Sequence, residues 1–363
     1  MIIKRSRHPT YSSAVDRNKR SLLKALPFLA ASPTVLAQTG STTIRARKLH
    51  SFGLKVTDVD RSLKFYQDLF GCPIQSRQGG SMCLQIGDGP RFFSLSKTRP
   101  GELPGFSHIG LSVADFDLGA VSNQLAEFGI ESTTAPEPGQ STLGVALRSW
   151  ITTRREDRGG DSSGTRELFF ADREGLVYQL SPEDHCGGAG SAGTLCQSAE
   201  PAPTGGIFTT IDINHFTNFL ANRDIANEFY TRIFGLSYQA YQGPTSPIVG
   251  VGDGKQFLMY VGGSQPGAPV NPGRTDHVSL AITDFNVETI LQKLTIYGLT
   301  ARADGETDPL QHWVSMRMPN RGGVEGGTPE VYFSDPDGIR IQVQDESYCG
   351  GGGYLGDDCS APV

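Results

Sequence analysis

The sequence predicts an α+β protein of two similar halves, each built from two similar units in which a strand, a helix and several short strands follow one another. Three observations support this prediction. The 363 residues include 45 glycines and 22 prolines, which gives enough length for two domains and enough turn residues for a β-rich fold. A long set of residues recurs at one fixed offset. Each unit opens with alternating apolar and polar residues and continues into an amphipathic helix pattern.

The repeat organises the chain into domains. In its second part every pair has the same offset of 163 positions, which chance composition does not produce. The pairs are Trp150 with Trp313, Arg154 with Arg317, Arg158 with Arg321, Thr165 with Thr328, Glu167 with Glu330, Asp172 with Asp335 and Gly175 with Gly338. With residues 197–206 as a linker, we predict domains at 47–185 and 213–347, a Cys loop and linker at 186–212, and a Cys-bracketed tail at 348–363.

A hairpin is predicted at 331–342. Its turn is the Asp-Pro-Asp-Gly sequence at 335–338, in which proline presets φ, aspartate caps the turn and glycine accepts a positive φ. Apolar, β-prone residues flank the turn on both sides. Tyr332 and Gln342 project polar groups from the two arms, where a metal or a substrate could be held.

Residues 1–37 are predicted to be a cleavable export signal. Residues 1–24 carry seven lysines and arginines against one acid, Asp16, and a short apolar run at 25–31 follows. The run is too short to span a bilayer, so we expect it to be removed rather than kept as an anchor. The sequence at 19–24 is similar to the twin-arginine motif with lysine in the first arginine position. The general secretion route, or a disordered basic arm on a cytosolic protein, are the alternatives.

Without the predicted signal the chain is strongly acidic. The counts of 32 basic and 38 acidic residues fall to 25 and 37 when residues 1–37 are removed, which gives a net charge near −12. Such a chain, with no basic run left, excludes nucleic acid and, after signal cleavage, an anionic membrane as partners. A small-molecule substrate is the expected partner. The oligomeric state stays open, a homo-oligomer included.

Two cysteine pairs bracket glycine-rich loops with identical spacing at equivalent places in the two halves. Closing such a loop with a disulfide contributes about 3 kcal/mol by the loop-entropy estimate. The predicted disulfides are Cys186 with Cys196 and Cys349 with Cys359. A zinc site is less favoured, because there is no tight Cys pair and no neighbouring histidine cluster. Disulfides agree with export, and a bond between the remaining Cys72 and Cys83 stays open.

Two histidines occupy matching places in the opening strands of the second and fourth units. In the stretch 107–115 the apolar residues share one face, and His108 lies on the other face among small residues. The stretch 275–284 repeats this pattern around His277. The apolar faces are expected to pack on the following helices, which leaves room for a ligand beside each histidine.

Residues 47–347 resemble the vicinal oxygen chelate superfamily, which includes glyoxalase I, fosfomycin and bleomycin resistance proteins and extradiol ring-cleaving dioxygenases. The resemblance rests on the four opening strands, on helix motifs that end in Phe-Tyr at 65–66 and 229–230, and on the hairpin turn at 335–338. It implies four βαβββ modules that form two glyoxalase-like domains, each a cup with metal ligands from its opening and closing strands. Many chemistries occur on this fold, so activity has to be argued from the site.

The resemblance places His215, His277 and Gln342 at the metal-ligand positions of the second half. Two imidazoles and a carboxylate leave open faces on Fe(II), suited to binding a catecholate and dioxygen together. Fe(II) is the favoured metal, with Mn or Zn as alternatives. Because Gln342 stands where glutamate is usual, we expect weaker metal binding, and a metal charge less neutralised and more attractive to an anionic ligand. Tyr332 matches the tyrosine that hydrogen-bonds substrate in extradiol enzymes.

The extradiol pattern also has a histidine several residues before this tyrosine, but residues 323–325 are glycine, valine and glutamate. His312 or Glu330 could serve as the base instead. The candidate substrate-binding residues are Arg317 and Arg321, for an anionic group, and Trp313, as a residue lining the cup.

The first half departs further from the pattern. Ser51 stands at its opening ligand position, Gln179 at the closing one and Phe169 at the position of the tyrosine, so that only His108 matches. His50 shares the parity of the apolar residues in its strand and is predicted to pack beneath the helix. We interpret this half as structural, as extradiol enzymes similarly keep a degenerate half.

Three function classes follow from these residues. The favoured one is a divalent-metal enzyme that resembles extradiol dioxygenases and acts on an aromatic or other vicinal-oxygen substrate. A glyoxalase-like lyase or isomerase explains the same ligands, and a metal-free binding or resistance protein explains both glutamines. Bound redox metal separates the last class from the others, and oxygen consumption separates the first two.

Overall fold

The computed structural model describes residues 43–136, 147–244, 246–252, 254–263, 273–303 and 308–359. The predicted export signal at 1–37 lies outside these residues and stays a prediction. Among the helices of the described ranges, none combines the length and the apolar composition that crossing a membrane requires.

Within the described ranges, each half forms one nine-stranded sheet with two α-helices. The first half contains β1 (Ala46–Val56), α1 (Val59–Phe70), β2 (Ile74–Gln78), β3 (Ser81–Gln85), β4 (Phe92–Lys97), β5 (Gly105–Val113), α2 (Leu118–Glu127), β6 (Glu131–Ser132), β7 (Arg148–Arg154), β8 (Thr165–Ala171) and β9 (Val177–Ser181). The second contains β10 (Thr210–Leu220), α3 (Arg223–Phe234), β11 (Tyr238–Tyr241), β12 (Pro247–Gly250), β13 (Phe257–Gly262), β14 (Arg274–Ile282), α4 (Val287–Tyr297), β15 (Thr300–Ala301), β16 (Gln311–Arg317), β17 (Thr328–Ser334) and β18 (Arg340–Asp345). The predicted α+β fold of four modules in two domains is confirmed.

The two sheets have the same topology. Their strand orders are β2-β3-β4-β1-β5-β9-β8-β7-β6 and β11-β12-β13-β10-β14-β18-β17-β16-β15. In each, the opening strands of the two modules pair antiparallel at the centre, β1 with β5 and β10 with β14. Each opening strand also pairs in parallel with the last strand of its own module. Side chains from opening and closing strands therefore become neighbours, and this arrangement builds the site.

The helices that follow the opening strands begin and end on repeated capping residues. Asp58 caps α1 by accepting a hydrogen bond from a backbone N–H of the first turn, and Asn222 does the same for α3. Gly71 and Gly235 end these helices with φ of 62°, a left-handed conformation that glycine adopts without strain. The repeated residues thus mark the same parts of both helices. The polar cap begins each helix, the Phe-Tyr pair lies on its buried side, and the Phe-Gly pair ends it.

A register shift in β1 changes the role of His50. The pairing of β1 with β5 is irregular between Leu49 and Ser51, and such a bulge breaks the alternation of side chains. His50 consequently turns away from the helix and donates a hydrogen bond from Nε2 to the carbonyl of His185 at 2.6 Å. The prediction that His50 packs beneath the helix is wrong; it anchors the chain just before Cys186.

One hydrophobic core extends through both halves, and two buried tyrosines bond across it. The hydroxyl of Tyr66 on α1 donates to Asp335 in the turn after β17 at 3.0 Å. The hydroxyl of Tyr230 on α3 donates to Asp172 in the equivalent turn after β8 at 2.7 Å. Burial raises the pKa of both aspartates to about 6. The repeated turns therefore serve as joints between the halves.

Both predicted disulfides are present in the structure. They join Cys186 to Cys196 and Cys349 to Cys359. Cys72 and Cys83 are buried free thiols, so the bond that the sequence left open between them is not formed. Burial raises the pKa of each thiol to about 12.

Candidate metal centre in the second half

The strand register of the second sheet places four of the predicted residues in one row. The row runs through His215 (β10), Ser279 (β14), Gln342 (β18), Tyr332 (β17) and Trp313 (β16). Residues paired in this way point to the same face of a sheet. His277 lies two positions before Ser279 on β14 and therefore faces the same side. Strand pairing alone collects side chains from five strands at one place.

His215 is fixed in one tautomer by the residue before it. Its Nδ1–H donates to Oδ1 of Asn214 at 2.7 Å, because an amide oxygen can only accept. Nδ2 of Asn214 donates to the carbonyl of Tyr348 at 2.8 Å, which determines how the amide faces. Burial lowers the pKa of His215 well below its usual range, and the nearby His277 lowers it further. The ring is neutral, with its lone pair on Nε2.

His277 has a similar arrangement with a carboxylate. Its Nδ1–H donates to Oδ2 of Asp276 at 2.8 Å, and the same oxygen accepts from Arg340 at 2.7 Å. Although burial acts in the opposite direction, these two partners hold the pKa of Asp276 below its usual value. Nε2 of His277 is buried and has no hydrogen-bond partner, and its ring lies 5.4 Å from that of His215. A carboxylate behind an imidazole is how metal-binding histidines are commonly oriented.

Gln342 adds a buried amide, for which the described part of the chain offers no hydrogen-bond partner within bonding geometry. Its side chain is 1% exposed, and both Oε1 and Nε2 are buried without a hydrogen-bond partner. An unsatisfied buried polar group costs about 1–3 kcal/mol. No cluster of three or more His, Cys, Asp or Glu side chains within the described ranges could hold a metal. A three-residue centre at this place therefore depends on the amide oxygen, and two imidazole nitrogens with one oxygen fit a divalent cation.

Tyr332 stands beside His277 and belongs to a buried polar network. The two rings meet edge to face with centroids 5.2 Å apart. The Tyr332 hydroxyl donates to Glu330 at 3.2 Å, and Glu330 also accepts from Arg317 at 3.0 Å and from the Tyr348 hydroxyl at 3.1 Å. Burial raises the pKa of Tyr332 well above its usual range, and Glu330 raises it further. The phenol therefore stays protonated and can act as a hydrogen-bond donor.

These side chains line a cavity of about 350 Å³. Arg302, Arg321 and Arg340 also line it, and Phe219 and Val261 contribute apolar surface. A larger cavity of about 600 Å³ lies elsewhere, between exposed charged residues of both signs. It contains none of the predicted site residues, so chemistry and not size identifies the candidate site.

Arg317 has a structural role in place of the predicted substrate contact. Its side chain is fully buried, and Nη2 donates to the carbonyl of Gly351 inside the second disulfide loop at 2.8 Å. Arg154 makes the same contact with Gly188 in the first half, also at 2.8 Å. Because this contact recurs in a half without the two histidine ligands, it belongs to the anchoring of the loop.

His312 does not face the cavity, which corrects its prediction as a candidate base. It adjoins Trp313 on β16, and successive residues of a strand point to opposite faces. Its ring pairs with the hydroxyl of Thr295 on α4 at 2.9 Å. Glu330 and Arg321, by contrast, both line the cavity as expected for their predicted roles.

The equivalent row of the first sheet has a different composition. It runs through Ser51, Gly110, Gln179, Phe169 and Trp150. The amide of Gln179 pairs with His185 at 3.4 Å, so it has the partner that Gln342 lacks. His108 pairs with Ser107 at 3.0 Å, and burial lowers its pKa to about 4. These contacts support our interpretation of the first half as structural.

Four residues at the site were missed by sequence reasoning: Asn214, Asp276, Arg302 and Arg340. A signal for the first two was present, since each directly precedes a histidine and offers an acceptor oxygen to it. The arginines had no local signal. They become visible only when strand pairing brings them to the cavity.

Comparison with known proteins finds a family match in the first half and similar folds among solved structures. Residues 48–175 match the Glyoxalase/Bleomycin resistance protein/Dioxygenase superfamily. The match lies in the first half, and the internal repeat extends its features to the second. Among curated proteins the sequence has no match.

Solved structures share the fold across both halves. The Mn(II)-bound glyoxalase from Novosphingobium aromaticivorans is 13% identical, with a TM-score of 0.54 over 84% of this chain and 83% of that chain. An extradiol ring-cleaving dioxygenase from B. fuscum is 15% identical, with a TM-score of 0.54 over 89% and 76%. The 2,2',3-trihydroxybiphenyl 1,2-dioxygenase from Sphingomonas wittichii is 15% identical, with a TM-score of 0.50 over 85% and 91%. At identities this low, the structural similarity shows a shared fold and nothing more. By sequence, residues 48–175 match the Glyoxalase/Bleomycin resistance protein/Dioxygenase superfamily, and by fold both halves are similar to these glyoxalase and dioxygenase structures.

Proposed function

We propose that this protein is a divalent-metal-dependent enzyme that acts like the extradiol ring-cleaving dioxygenases, with His215, His277 and Gln342 as its metal ligands. The observation that carries the proposal is the orientation of the two histidines. Each donates its Nδ1–H to an acceptor on the preceding residue, which leaves Nε2 available as a ligand. The buried, unpaired amide of Gln342 beside them supports the same conclusion.

Fe(II) is the metal we favour, because two imidazoles and one oxygen leave open positions for a substrate with vicinal oxygens and for dioxygen. The Mn(II)-bound glyoxalase supports Mn as an alternative, and Zn is a third candidate. When bound, the metal supplies Lewis acidity to the substrate oxygens. The neutral amide of Gln342 leaves more of its charge for an anionic ligand than a carboxylate would.

The other residues of the cavity position the substrate and move its protons. Tyr332 can donate a hydrogen bond to a substrate oxygen because its hydroxyl stays protonated. Glu330 stands 3.2 Å from that hydroxyl and is the acceptor for a substrate proton, with the buried Arg317 balancing its charge. Trp313 stacks on Tyr332 with centroids 5.5 Å apart, which fixes both rings as a flat wall for an aromatic substrate.

A lyase or isomerase that resembles the glyoxalases is the second candidate. It is supported by the absence of an acid–base histidine: residues 323–325 supply none, and His312 faces α4. A carboxylate such as Glu330 can transfer a proton between neighbouring carbons without dioxygen. The two candidates share the metal ligands and differ in whether oxygen is consumed.

The test is the metal content of the full chain, purified without added metal and measured by mass spectrometry. We expect close to one equivalent of iron, manganese or zinc, lost in a His215→Ala, His277→Ala double variant. The matched control is His108→Ala in the first half, which should keep the metal. Oxygen uptake with a panel of catechols then separates dioxygenase from lyase. Absence of metal even after anaerobic addition of Fe(II) would overturn the proposal and leave a metal-free binding protein.

We also propose that the protein is exported to the periplasm or secreted. The two disulfides support this proposal, because such bonds persist in oxidising compartments. Cell fractionation with amino-terminal sequencing tests it. A processed chain that begins near residue 38 outside the cytoplasm is expected, and an intact chain retained in the cytoplasm would contradict it.

A further inference from the structure

The cavity beside the candidate metal centre carries more guanidinium groups than carboxylates can balance. Asp276 and Glu330 are the acids in its lining. Asp276 is paired with Arg340 at 2.7 Å, and Glu330 is paired with a buried arginine behind it at 3.0 Å. In the part of the chain that the structure describes, the side chains of Arg302 and Arg321 have no carboxylate partner. Among the described residues, two positive charges in the lining therefore have no carboxylate of their own.

The guanidinium of Arg302 is held in place by an aromatic stack. Its Cζ lies 4.8 Å from the centroid of the Trp313 ring, which stacks in turn on Tyr332. Arg340 contacts the same tryptophan at 5.5 Å. Stacking on an aromatic ring restrains a guanidinium without using its N–H groups. Arg302 is thus preorganised to bind an anion.

The internal repeat allows these arginines to be compared with the equivalent positions of the first half, which has the same fold. The backbone N–H of Thr133 donates a hydrogen bond to β7, just as that of Arg302 donates one to β16. Thr133 is therefore the counterpart of Arg302 in the first half. At the repeat offset, the counterpart of Arg340 is Val177. The first half, in which Ser51 replaces one of the two histidines, therefore lacks both of these arginines as well. The added positive charge accompanies the candidate metal centre.

We propose that Arg302 and Arg321 form an anion subsite, and that the substrate is an aromatic compound with vicinal oxygens at one end and a carboxylate or similar anionic group at the other. The oxygen-binding end rests on the proposed function; the anionic end rests on the arginines alone. A planar guanidinium binds a carboxylate through paired N–H···O hydrogen bonds, which are stronger than neutral ones. The ring of the substrate would lie along the Trp313 and Tyr332 wall.

The test compares two probes that differ only in the charged group, 3,4-dihydroxybenzoate and 4-methylcatechol. Their affinities for the full chain are measured by calorimetry under anaerobic conditions, with Fe(II) and after metal removal. We expect the carboxylate to bind at least about tenfold more tightly, with an advantage that shrinks as salt is added. An Arg302→Gln, Arg321→Gln double variant should lose this advantage. Arg158→Gln, at the repeat counterpart of Arg321, should keep it.

The measurement distinguishes this proposal from the metal proposal. If the carboxylate preference persists in a protein that binds no metal, the anion subsite stands and the enzyme function fails. Equal affinity of the two probes in the unaltered chain overturns the subsite, as does failure of both to bind. A preference that survives in the double variant also overturns it. Unfolding curves of each variant establish that a lost preference is not a lost fold, and Arg302→Lys, which keeps the charge but not the planar fork, should retain part of it.

Discussion

Oδ1 of Asn214 accepts a hydrogen bond from Nδ1–H of His215 at 2.7 Å. A residue distant in the sequence determines the orientation of that amide. Nδ2 of Asn214 donates to the carbonyl of Tyr348, 134 positions further along the chain. Tyr348 directly precedes Cys349 of the second disulfide loop. A candidate metal ligand is thus oriented through a chain of contacts that begins at a disulfide.

Replacing Asn214 with alanine should weaken metal binding by about 10- to 100-fold, the range found when partners of metal-binding histidines are removed. His215 would lose the acceptor that selects its tautomer, while the ligands themselves remain. Mn(II) titration followed by electron paramagnetic resonance measures the affinity. The control is His50→Asn at the equivalent place in the first half, which should leave the affinity unchanged. Unaltered affinity in Asn214→Ala would show that the ring is oriented by packing alone.

The two disulfides should contribute alike to stability and differently to the site. Removing either pair, as Cys186→Ser, Cys196→Ser or as Cys349→Ser, Cys359→Ser, should cost about 3 kcal/mol in the free energy of unfolding, because the loops are the same length. Only the second variant should also lose metal affinity, since Tyr348 adjoins that loop. Denaturant unfolding and metal titration measure the two effects. Equal loss of affinity in both variants would contradict the coupling.

Replacing Gln342 with glutamate should increase metal affinity by about tenfold or more, because a carboxylate adds a negative charge and a stronger donor. The matched control is Gln179→Glu in the first half, where Ser51 stands in place of a histidine. That variant should gain no metal. Calorimetric titration of both variants checks the result. A Gln342→Glu variant with unchanged affinity would mean that this side chain does not bind the metal.

The aspartates at the joints between the halves should make stability depend on pH. Asp172 and Asp335 have a pKa of about 6 in the folded protein, above the usual value of 3.8, because they are buried. The folded state therefore binds their protons more tightly than the unfolded state. This contribution is fully present below pH 3.8 and is lost as the pH rises through 6. It amounts to a free energy on the order of 3 kcal/mol for each group.

The measurement compares thermal unfolding of the unaltered chain with that of an Asp172→Asn, Asp335→Asn variant at pH 5 and pH 7.5. The stability of the unaltered chain relative to the variant should be greater at pH 5. Because buried histidines titrate in both proteins, only this difference isolates the aspartates. A difference that is the same at both pH values would contradict the raised pKa.

The sequence was informative wherever a local pattern corresponded to a local structure. The constant offset between Trp150 and Trp313 predicted two equivalent halves, and the spacing of the cysteines predicted both disulfides. The alternation around His277 predicted which face it occupies, because alternation survives in a regular strand. Local regularity was enough to predict the fold and the face on which His277 lies.

Prediction failed where tertiary structure overrides local pattern. A bulge reversed the side on which His50 lies, and no feature of the sequence marks it. Arg317 was predicted to bind an anionic group of the substrate, yet it is buried as an anchor for the disulfide loop. Arg302 is separated from His215 by 87 positions, and only the closing of the sheet brings both to one cavity.

The pattern of cysteines also bears on how the chain can mature in an oxidising compartment. Each bonded cysteine finds its partner ten positions away, so the correct pair is also the pair that collides most often while the chain is still unfolded. Cys72 and Cys83 are the residues that could divert this pairing. Once the first half has folded, both are buried with a pKa of about 12, and almost no thiolate remains to attack a disulfide. Folding itself therefore protects the oxidised chain from thiol exchange.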